Sequence, residues 1–269
     1  MRPVTPDDLS LAMQIAQIDP IANCFLISKL IDFNPKDTQI LLVSDREKNL
    51  GLAYVGINTT TANCSYEMLT HLADYLMQAP IATSSIVGKR EDVFGLWQQV
   101  SSFQGPARLI RSDQPLLFLD KSPLIAPNTQ VRLATIDELE KVLPVAAMMF
   151  REEVGIDPLR PATRAVYQSR VLELLQNQRT FVLTDENEII FKVDIGVQSD
   201  TVIQIQGVWV APSHRGQRIS APALAAAVVQ MRKRVPTVSL YVNDFNYRAL
   251  RLYRSLGFEQ VGTFASVML

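Results

Sequence analysis

The sequence predicts an α+β fold that is built twice, as two similar halves with a central sheet and flanking helices. Short segments rich in strand-forming residues alternate with segments whose apolar residues recur at helical spacing along all 269 residues. Residues 134–139 repeat the pattern of residues 4–9, and residues 181–185 repeat that of 41–45. Capped helices followed by hairpins also recur by chance, but the same order of elements in both halves favours an internal duplication.

The first half begins with a helix-start signal. Thr5 with Asp8 three residues later resembles a capping box, and Pro6 suits the first helical position. Pro20 separates the first two helices, because proline has no amide hydrogen. The predicted elements of this half are helices at 9–18, 21–31, 68–77 and 91–100, and strands at 40–43, 50–57, 85–87 and 115–119.

A segment with two prolines separates the halves. Residues 122–128 show no hydrophobic periodicity, so they are predicted to form a linker between domains at 1–122 and 129–269. Beyond it, Thr135 and Glu138 make a full capping box. The elements predicted next are a helix at 139–151 that is interrupted or kinked at Pro144, a helix at 164–175 and a strand at 181–185.

Residues 205–224 combine a strand, a short polar turn and a helix. Residues 205–210 are rich in strand formers, residues 211–214 break the strand, and Pro222 is tolerable only in the first turn of the helix that follows. The turn at 215–220 lies where that helix begins. Backbone N–H groups are unpaired there and the helix dipole is positive, so this turn suits a phosphate.

A second motif follows, with a strand at 238–242 and then a helix. It contains Val242, Asn246, Ala249, Leu252, Tyr253, Gly257 and Phe258. The two motifs, in this order and spacing, resemble the GNAT (GCN5-related) N-acetyltransferase superfamily. The resemblance is strong over about 130 to 269 and weaker before that.

The turn at 215–220 departs from the family pattern at two positions. Val210, Pro212 and Arg215 match the acyl-CoA phosphate loop, whereas Arg218 and Ser220 replace its first glycine and its second small residue. Glycine permits positive φ and a close approach of the backbone to phosphate. Arg218 is therefore expected to keep its side chain outward, where it can add charge for a phosphate.

The resemblance implies a mixed central sheet in each half and an active second domain that transfers acetyl from acetyl-CoA to a primary amine by direct attack. A strand N–H would donate to the thioester oxygen, and Tyr253 would protonate the leaving thiolate. Without that motif, Tyr253 would be a core aromatic and Asn246 an ordinary N-cap. The residues expected to bind acetyl-CoA are Val208, Trp209, Val210, Arg215, Gly216, Gln217, Arg218, Ile219, Ser220, Asn246 and Tyr253.

The general base is not specified by the resemblance. Many members carry a glutamate on the strand before the loop, but Gln204 and Gln206 stand there, and an amide cannot act as a base. Gln206 can still bind a substrate. Glu152 and Glu153 are the candidates for the base and for attracting a cationic amine. The alternative for this pair is a solvated helix end.

The first half resembles a degenerate copy. Residues 63–66 stand where the phosphate loop would be, and the helix at 91–100 contains Trp97 but no tyrosine. We expect this half to have lost acyl-CoA binding and to shape the substrate side. The whole chain resembles a tandem subgroup in which a domain of unknown function precedes the acetyltransferase domain.

Composition argues against several other functions. A net charge of −1 without a basic block disfavours nucleic acid or a membrane as partner, and also aminoacyl transfer from tRNA. Cys24 and Cys64 lack metal-ligand spacing, so we expect thiols, no metal site, and a cytoplasmic location without a signal peptide. A small molecule, a peptide or a protein can be the acceptor. The alternative function is a non-catalytic acyl-CoA sensor.

Overall fold

The computed structural model describes residues 1–36, 39–78 and 83–269. The first half contains β1 (Arg2–Pro3), α1 (Leu9–Ala16), α2 (Cys24–Ile31), β2 (Ile40–Ser44), β3 (Leu50–Val55), β4 (Asn58–Ala62), α3 (Tyr66–Gln78), β5 (Ser85–Lys89), α4 (Arg90–Gln104) and β6 (Leu109–Leu119). The second half contains β7 (Arg132–Leu133), α5 (Leu139–Val154), α6 (Arg164–Gln176), β8 (Thr180–Asp185), β9 (Glu188–Gln198), β10 (Val202–Val210), α7 (Ser220–Met231), β11 (Thr237–Tyr241), α8 (Tyr247–Ser255) and β12 (Glu259–Met268). Within these described residues, no helix is long and apolar enough to cross a membrane.

Besides the short strands β1 and β7 and the final strand β12, which were not predicted, two elements differ from the predictions. Strand β4 is additional, because its three threonines and terminal asparagine do not show the apolar alternation of a half-buried strand. Helix α5 runs from residue 139 to 154, so an interruption at Pro144 is wrong, whereas a kink there stays a prediction. Pro144 removes one intrahelical hydrogen bond, but burial of the apolar face of α5 in the core compensates for that loss.

The starts of the two halves repeat the same contacts, which supports the internal duplication. Both predicted capping boxes are formed between a threonine and the acidic residue three positions later. An arginine three residues before each threonine pairs with that acid, Arg2 with Asp8 at 2.6 Å and Arg132 with Glu138 at 2.7 Å. The hydrogen bonds from Arg132 lower the pKa of Glu138 to about 2.

The strands of both halves form one mixed sheet of twelve strands, in the order β1-β2-β3-β4-β5-β12-β6-β11-β10-β9-β8-β7. The pairs β4–β5 and β10–β11 are parallel, and the others are antiparallel. The α+β class, the mixed sheet and the tandem arrangement that the sequence predicts are therefore confirmed.

The two halves exchange their last strands at the centre of this sheet. β12, from the second half, pairs with β5 of the first half, and β6, from the first half, pairs with β11 of the second. β6 and β12 also pair with each other over most of their length. The sheet therefore crosses from one half to the other through both exchanged strands. The domain boundaries at 1–122 and 129–269 stay a prediction.

Helix α2 of the first half packs against β9 and β10 of the second half. At this contact the buried Cys24 Sγ donates a hydrogen bond to the carbonyl oxygen of Val202 at 3.4 Å. Burial raises the pKa of Cys24 to about 11 and that of Cys64 to about 12. Both cysteines are therefore protonated thiols with weak nucleophilicity at neutral pH.

Candidate active site

The parallel strands β10 and β11 separate part-way along their length. Their last paired residues are Gln204 and Ser239. Beyond that point β10 pairs with β9 alone, and a bulge between Gln206 and Trp209 shifts the register. Gly207 lies in this bulge at φ +63°, in the left-handed region that favours glycine. A cavity opens where the two strands separate.

Both halves line this cavity, which has a volume of about 710 Å³. The second half contributes residues 204–208 of β10, residues 240–243 at the end of β11 and just beyond it, and Tyr253 of α8. The first half contributes Phe25 of α2 and residues 109–111 of β6 among others. Because α2 and β6 both reach across the boundary between the halves, the first half forms one wall of the cavity.

The turn between β10 and α7 presents free backbone amides. The N–H groups of residues 216–219 make no hydrogen bond to any other residue in the described ranges. Gly216 at φ +82° and Arg218 at φ +61° are left-handed, while Ile219 is right-handed helical. Successive amides in such alternating conformations form a concave anion site, and this one lies at the start of α7. The Arg218 side chain is exposed, as predicted.

The Arg215 side chain points away from these amides. Its Nε donates to the carbonyl oxygen of Val210 at 3.0 Å, and its Nη2 donates to both carboxylate oxygens of Glu152 at 3.0 and 2.8 Å. The guanidinium and the Glu152 carboxylate therefore neutralise each other at the cavity wall. This pairing joins the turn before α7 to the end of α5.

Glu153, next to this pair, has no side-chain partner among the described residues. Its side chain is open to solvent at the cavity, but desolvation by the surrounding protein still raises its pKa, which Arg111 and Lys192 partly oppose. Arg111 Nη2 donates to the backbone carbonyl of Glu153 at 3.0 Å, so the β6 arginine lies beside this residue. A free carboxylate with a raised pKa is a stronger base than an ordinary glutamate, which suits a general base.

Tyr253 and Asn246 line the cavity from α8 and the turn before it. Tyr253 is only 7% exposed and packs edge-to-face on Phe258 at 5.9 Å between ring centroids. Burial raises the pKa of the Tyr253 phenol, and the nearby Glu153 charge raises it further. Asn246 is the N-cap of α8, since its Oδ1 accepts from the Ala249 amide at 3.2 Å.

The other predicted site residues lie in three places: in the cavity lining, beside strand β9, and in the turn beyond β10. Gln206 and Val208 line the cavity. The Trp209 side chain is buried in the core of the second half, and Trp209 and Val210 pair with strand β9. The turn at 215–220 lies outside the cavity lining, beyond the end of β10.

Two protein families match parts of this sequence. Residues 147–258 match the family described as acetyltransferase (GNAT) family. The chain therefore contains a GNAT-family domain at residues 147–258. Residues 38–142 match a domain of unknown function, DUF4081, whose match extends past the predicted linker into α5. No curated protein matches this sequence.

Solved structures, several of them described as GNAT proteins, share the fold of the whole chain at low sequence identity. A GNAT-family acetyltransferase from Colwellia psychrerythraea is 12% identical with a TM-score of 0.60, and the match covers 100% of this chain and 98% of that one. A Drosophila protein reaches a TM-score of 0.69 at 12% identity with the same coverage. A tandem GNAT protein from the clavulanic acid biosynthesis pathway is 13% identical with a TM-score of 0.54, covering 99% of this chain and 97% of that one.

The structure adds polar groups to this GNAT site that the sequence analysis missed. Gln114 of β6 is buried, accepts a hydrogen bond from Ser266 Oγ at 2.7 Å and donates one to Asn243 Oδ1 at 3.0 Å. It fixes the segment that leads into α8. Nothing in the sequence near Gln114 indicates these contacts, because Asn243 lies 129 residues away.

A buried ion pair, Lys192 with Asp194, lies on β9 across from the bulge in β10. Asp194 Oδ1 also accepts a hydrogen bond from Thr180 Oγ1 at 2.8 Å. Two opposite charges two positions apart, inside an otherwise apolar strand, are a sequence signal that could have identified this pair. In the described ranges, no group of three or more His, Cys, Asp or Glu residues is placed to hold a metal ion.

The first half has a smaller cavity, of about 400 Å³, at its own β4–α3 turn. Its lining includes Asp45, Lys89 and Asp92, and the turn residue Cys64. The pKa of Asp92 is raised by burial. Two carboxylates beside the start of a helix repel a pyrophosphate, which is the opposite of the electrostatics at the start of α7.

Proposed function

We propose that the protein is an acetyl-CoA-dependent N-acetyltransferase that acetylates a primary amine by direct attack. The observation that carries this proposal is the geometry of the second half. Four free amides at residues 216–219 lie at the start of α7, and β10 leads from this turn to the separated strands and the cavity beside Tyr253. This arrangement fits a long cosubstrate whose phosphates and thioester lie at opposite ends.

The residues present fit acetyl-CoA along this path. The amides of residues 216–220 and the positive end of α7 would hold the pyrophosphate, with Arg218 adding charge. The free edge of β10 would pair with the pantetheine arm, and Asn246 would contact it from α8. Acetyl-CoA, when bound, supplies a thioester carbonyl, and the amides of Gly207 and Val208, two bulge residues that line the cavity, would donate to its oxygen.

Proton transfer can be assigned to two side chains that line the cavity. The acceptor nitrogen forms a bond to the acetyl carbon as the carbon–sulfur bond breaks. Glu153, as the carboxylate, takes the proton that the amine loses, and the Tyr253 hydroxyl gives a proton to the departing sulfur. Glu152 acts through its pair with Arg215, and Gln206 offers an amide to the acceptor.

The proposed binding of acetyl-CoA can be tested at the start of α7. Ser220→Asp adds a carboxylate in the first helical turn, where it favours the helix dipole but repels a pyrophosphate. We expect the Kd for acetyl-CoA, measured by calorimetry, to rise at least about tenfold, or 1.4 kcal/mol, without loss of thermal stability. Ser220→Asn is the neutral control of the same size. Equal affinity in the wild type and Ser220→Asp would contradict binding at this turn.

A non-catalytic acyl-CoA sensor is the second candidate. Gln204 and Gln206 stand where many family members have a glutamate, which is the observation that favours it. A sensor would bind acetyl-CoA without releasing CoA in the presence of any amine. We also propose a cytoplasmic location, since both cysteines are free thiols, as in a reducing compartment.

A further inference from the structure

We infer that the acceptor carries a carboxylate as well as its amine, and that Arg111 from the first half binds this carboxylate. The inference rests on the proposed acetyltransfer at the same cavity. It gives the first half a defined part in choosing the substrate. The acceptor is then a small molecule of the amino-acid type.

The guanidinium of Arg111 is half-buried at the cavity and forms no ion pair with an acidic residue of the described ranges. Within those ranges it makes one hydrogen bond, to the backbone carbonyl of Glu153. By contrast, Arg132 is paired with Glu138 and Arg215 with Glu152. A half-buried guanidinium with free N–H groups is suited to a planar anion, which it binds through two parallel hydrogen bonds.

A second unpaired arginine, Arg170 of α6, lines the same cavity. It makes no hydrogen bond or ion pair with another described residue. Because Arg215 neutralises Glu152, the remaining charges of the cavity lining are one carboxylate, on Glu153, and the two guanidinium groups of Arg111 and Arg170. A ligand with one ammonium and one carboxylate complements this set better than an amine alone, which would leave both arginines unpaired.

One contact brings the two binding groups to the same part of the site. Arg111 donates to the main-chain carbonyl of Glu153, and both residues line the cavity. An acceptor with its amine and its carboxylate a few bonds apart, as in an amino acid, can therefore reach the Glu153 carboxylate and the Arg111 guanidinium together. A large acceptor such as a folded protein would have to present its amine and its carboxylate on the same residue.

Apolar side chains form much of the wall that the first half contributes. Phe25, Val87, Leu109 and Ile110 line it, and Phe264 of the exchanged strand β12 continues it. Leu109 and Ile110 are 42% and 46% exposed, which is unusual for large apolar residues on a central strand unless a ligand covers them. The acceptor is therefore expected to have an apolar or aromatic side group.

The test compares two acetylated products that differ only in the carboxylate. N-acetyl-L-phenylalanine and N-acetyl-2-phenylethylamine are titrated into the full-length protein saturated with CoA. We expect the first to bind at least about tenfold more tightly, and Arg111→Gln to remove that preference. Arg108→Gln is the matched control, since Arg108 is exposed, precedes β6, and does not line the cavity.

Each outcome of this test bears on one hypothesis. Equal affinity for the two compounds, no binding of either, or an unchanged preference in Arg111→Gln overturns the inference. If Arg111→Gln does not fold, which the thermal transition reports, Arg111→Lys repeats the comparison: it keeps the charge but loses the two parallel N–H donors, so the preference should shrink. Failure of the wild-type protein to bind CoA would instead overturn the proposed function, because CoA binding is assigned to the turn at 215–220 and not to Arg111.

Discussion

Tyr253 is enclosed by apolar neighbours, and this enclosure determines what its hydroxyl can do. Burial raises its pKa far above neutral, so the phenol stays protonated and acts only as a donor. Tyr253→Phe removes this donor but no hydrogen bond to another described residue. We expect kcat to fall by about 10² to 10⁴ while the Kd for acetyl-CoA is unchanged. Tyr247→Phe, on the exposed first turn of α8, is the control, and an unchanged kcat in Tyr253→Phe would exclude the acid role.

Variants of Glu153 and of its neighbour Glu152 form a matched pair that tests the pH dependence of kcat/KM. Desolvation raises the pKa of Glu153, so the folded protein takes up a proton at this residue at higher pH than the unfolded chain does. A base must be unprotonated, so kcat/KM should fall as the pH drops through this raised pKa. In Glu153→Gln we expect that acidic limb to disappear together with most of the activity. Glu152→Gln should keep the limb, and a limb that persists in Glu153→Gln would assign the base to another group.

The same raised pKa has an opposite effect on stability. The proton on Glu153 stabilises the folded state at acidic pH, and this contribution is lost as the pH rises through the pKa in the folded state. As the proposed base, Glu153 would favour catalysis and disfavour folding under the same conditions. Carboxylates with perturbed pKa values are concentrated at functional sites, where such opposition is expected.

At the scale of single elements, the bulge of β10 depends on Gly207. Its φ of +63° is left-handed, and a Cβ there would lie 2.7 Å from Met149 Sδ. We expect Gly207→Ala to lower the free energy of unfolding by about 1 to 2 kcal/mol for the backbone, plus the cost of displacing Met149. Gly155→Ala, at the end of α5, is also left-handed, at φ +74° and ψ +9°, and has open space around it, so it measures the backbone cost alone. If both variants lose the same free energy of unfolding in urea, the Met149 side chain moves aside at no cost.

The elements of the second half could be predicted from the sequence where nearby residues determine the backbone conformation. The turn at 215–220 was recognisable because a strand, a break and a helix rich in alanine follow each other within one segment. The left-handed conformation of Arg218 was not, since arginine rarely adopts it and only the surrounding turn imposes it. The pairing of Gln114 with Asn243 depends on two segments that meet only in the folded sheet.

At the scale of the whole molecule, the strand exchange could not be predicted from the sequence. Each half contains its own complete series of elements, so the sequence is consistent with two independent sheets. The apolar residues of β6 and β12 do not by themselves specify the partner strand, because the backbone hydrogen bonds that join two strands can be made by almost any sequence. Only the tertiary arrangement selects one pairing. This choice also brings β6, and with it Arg111 and Gln114, to the site of the other half.

The exchange predicts that the halves depend on each other. Residues 129–269 alone lack β6, so β11 loses its antiparallel neighbour and Asn243 loses its hydrogen bond from Gln114. We expect this fragment and residues 1–122 to be unfolded or aggregated when expressed separately, because each leaves a central strand edge unpaired. Expressed together, they should associate and regain acetyl-CoA affinity, measured by calorimetry.

A full-length protein with a protease site inserted in the 123–128 linker is the control for this experiment. Cleavage after folding produces nearly the same two fragments, but strands β6 and β12 are already exchanged at that point. We expect the cleaved protein to stay associated and to keep its thermal transition and its affinity. If residues 129–269 alone bind acetyl-CoA as tightly as the full chain, β12 must take the place of β6 beside β11, and the second half is then an independent domain.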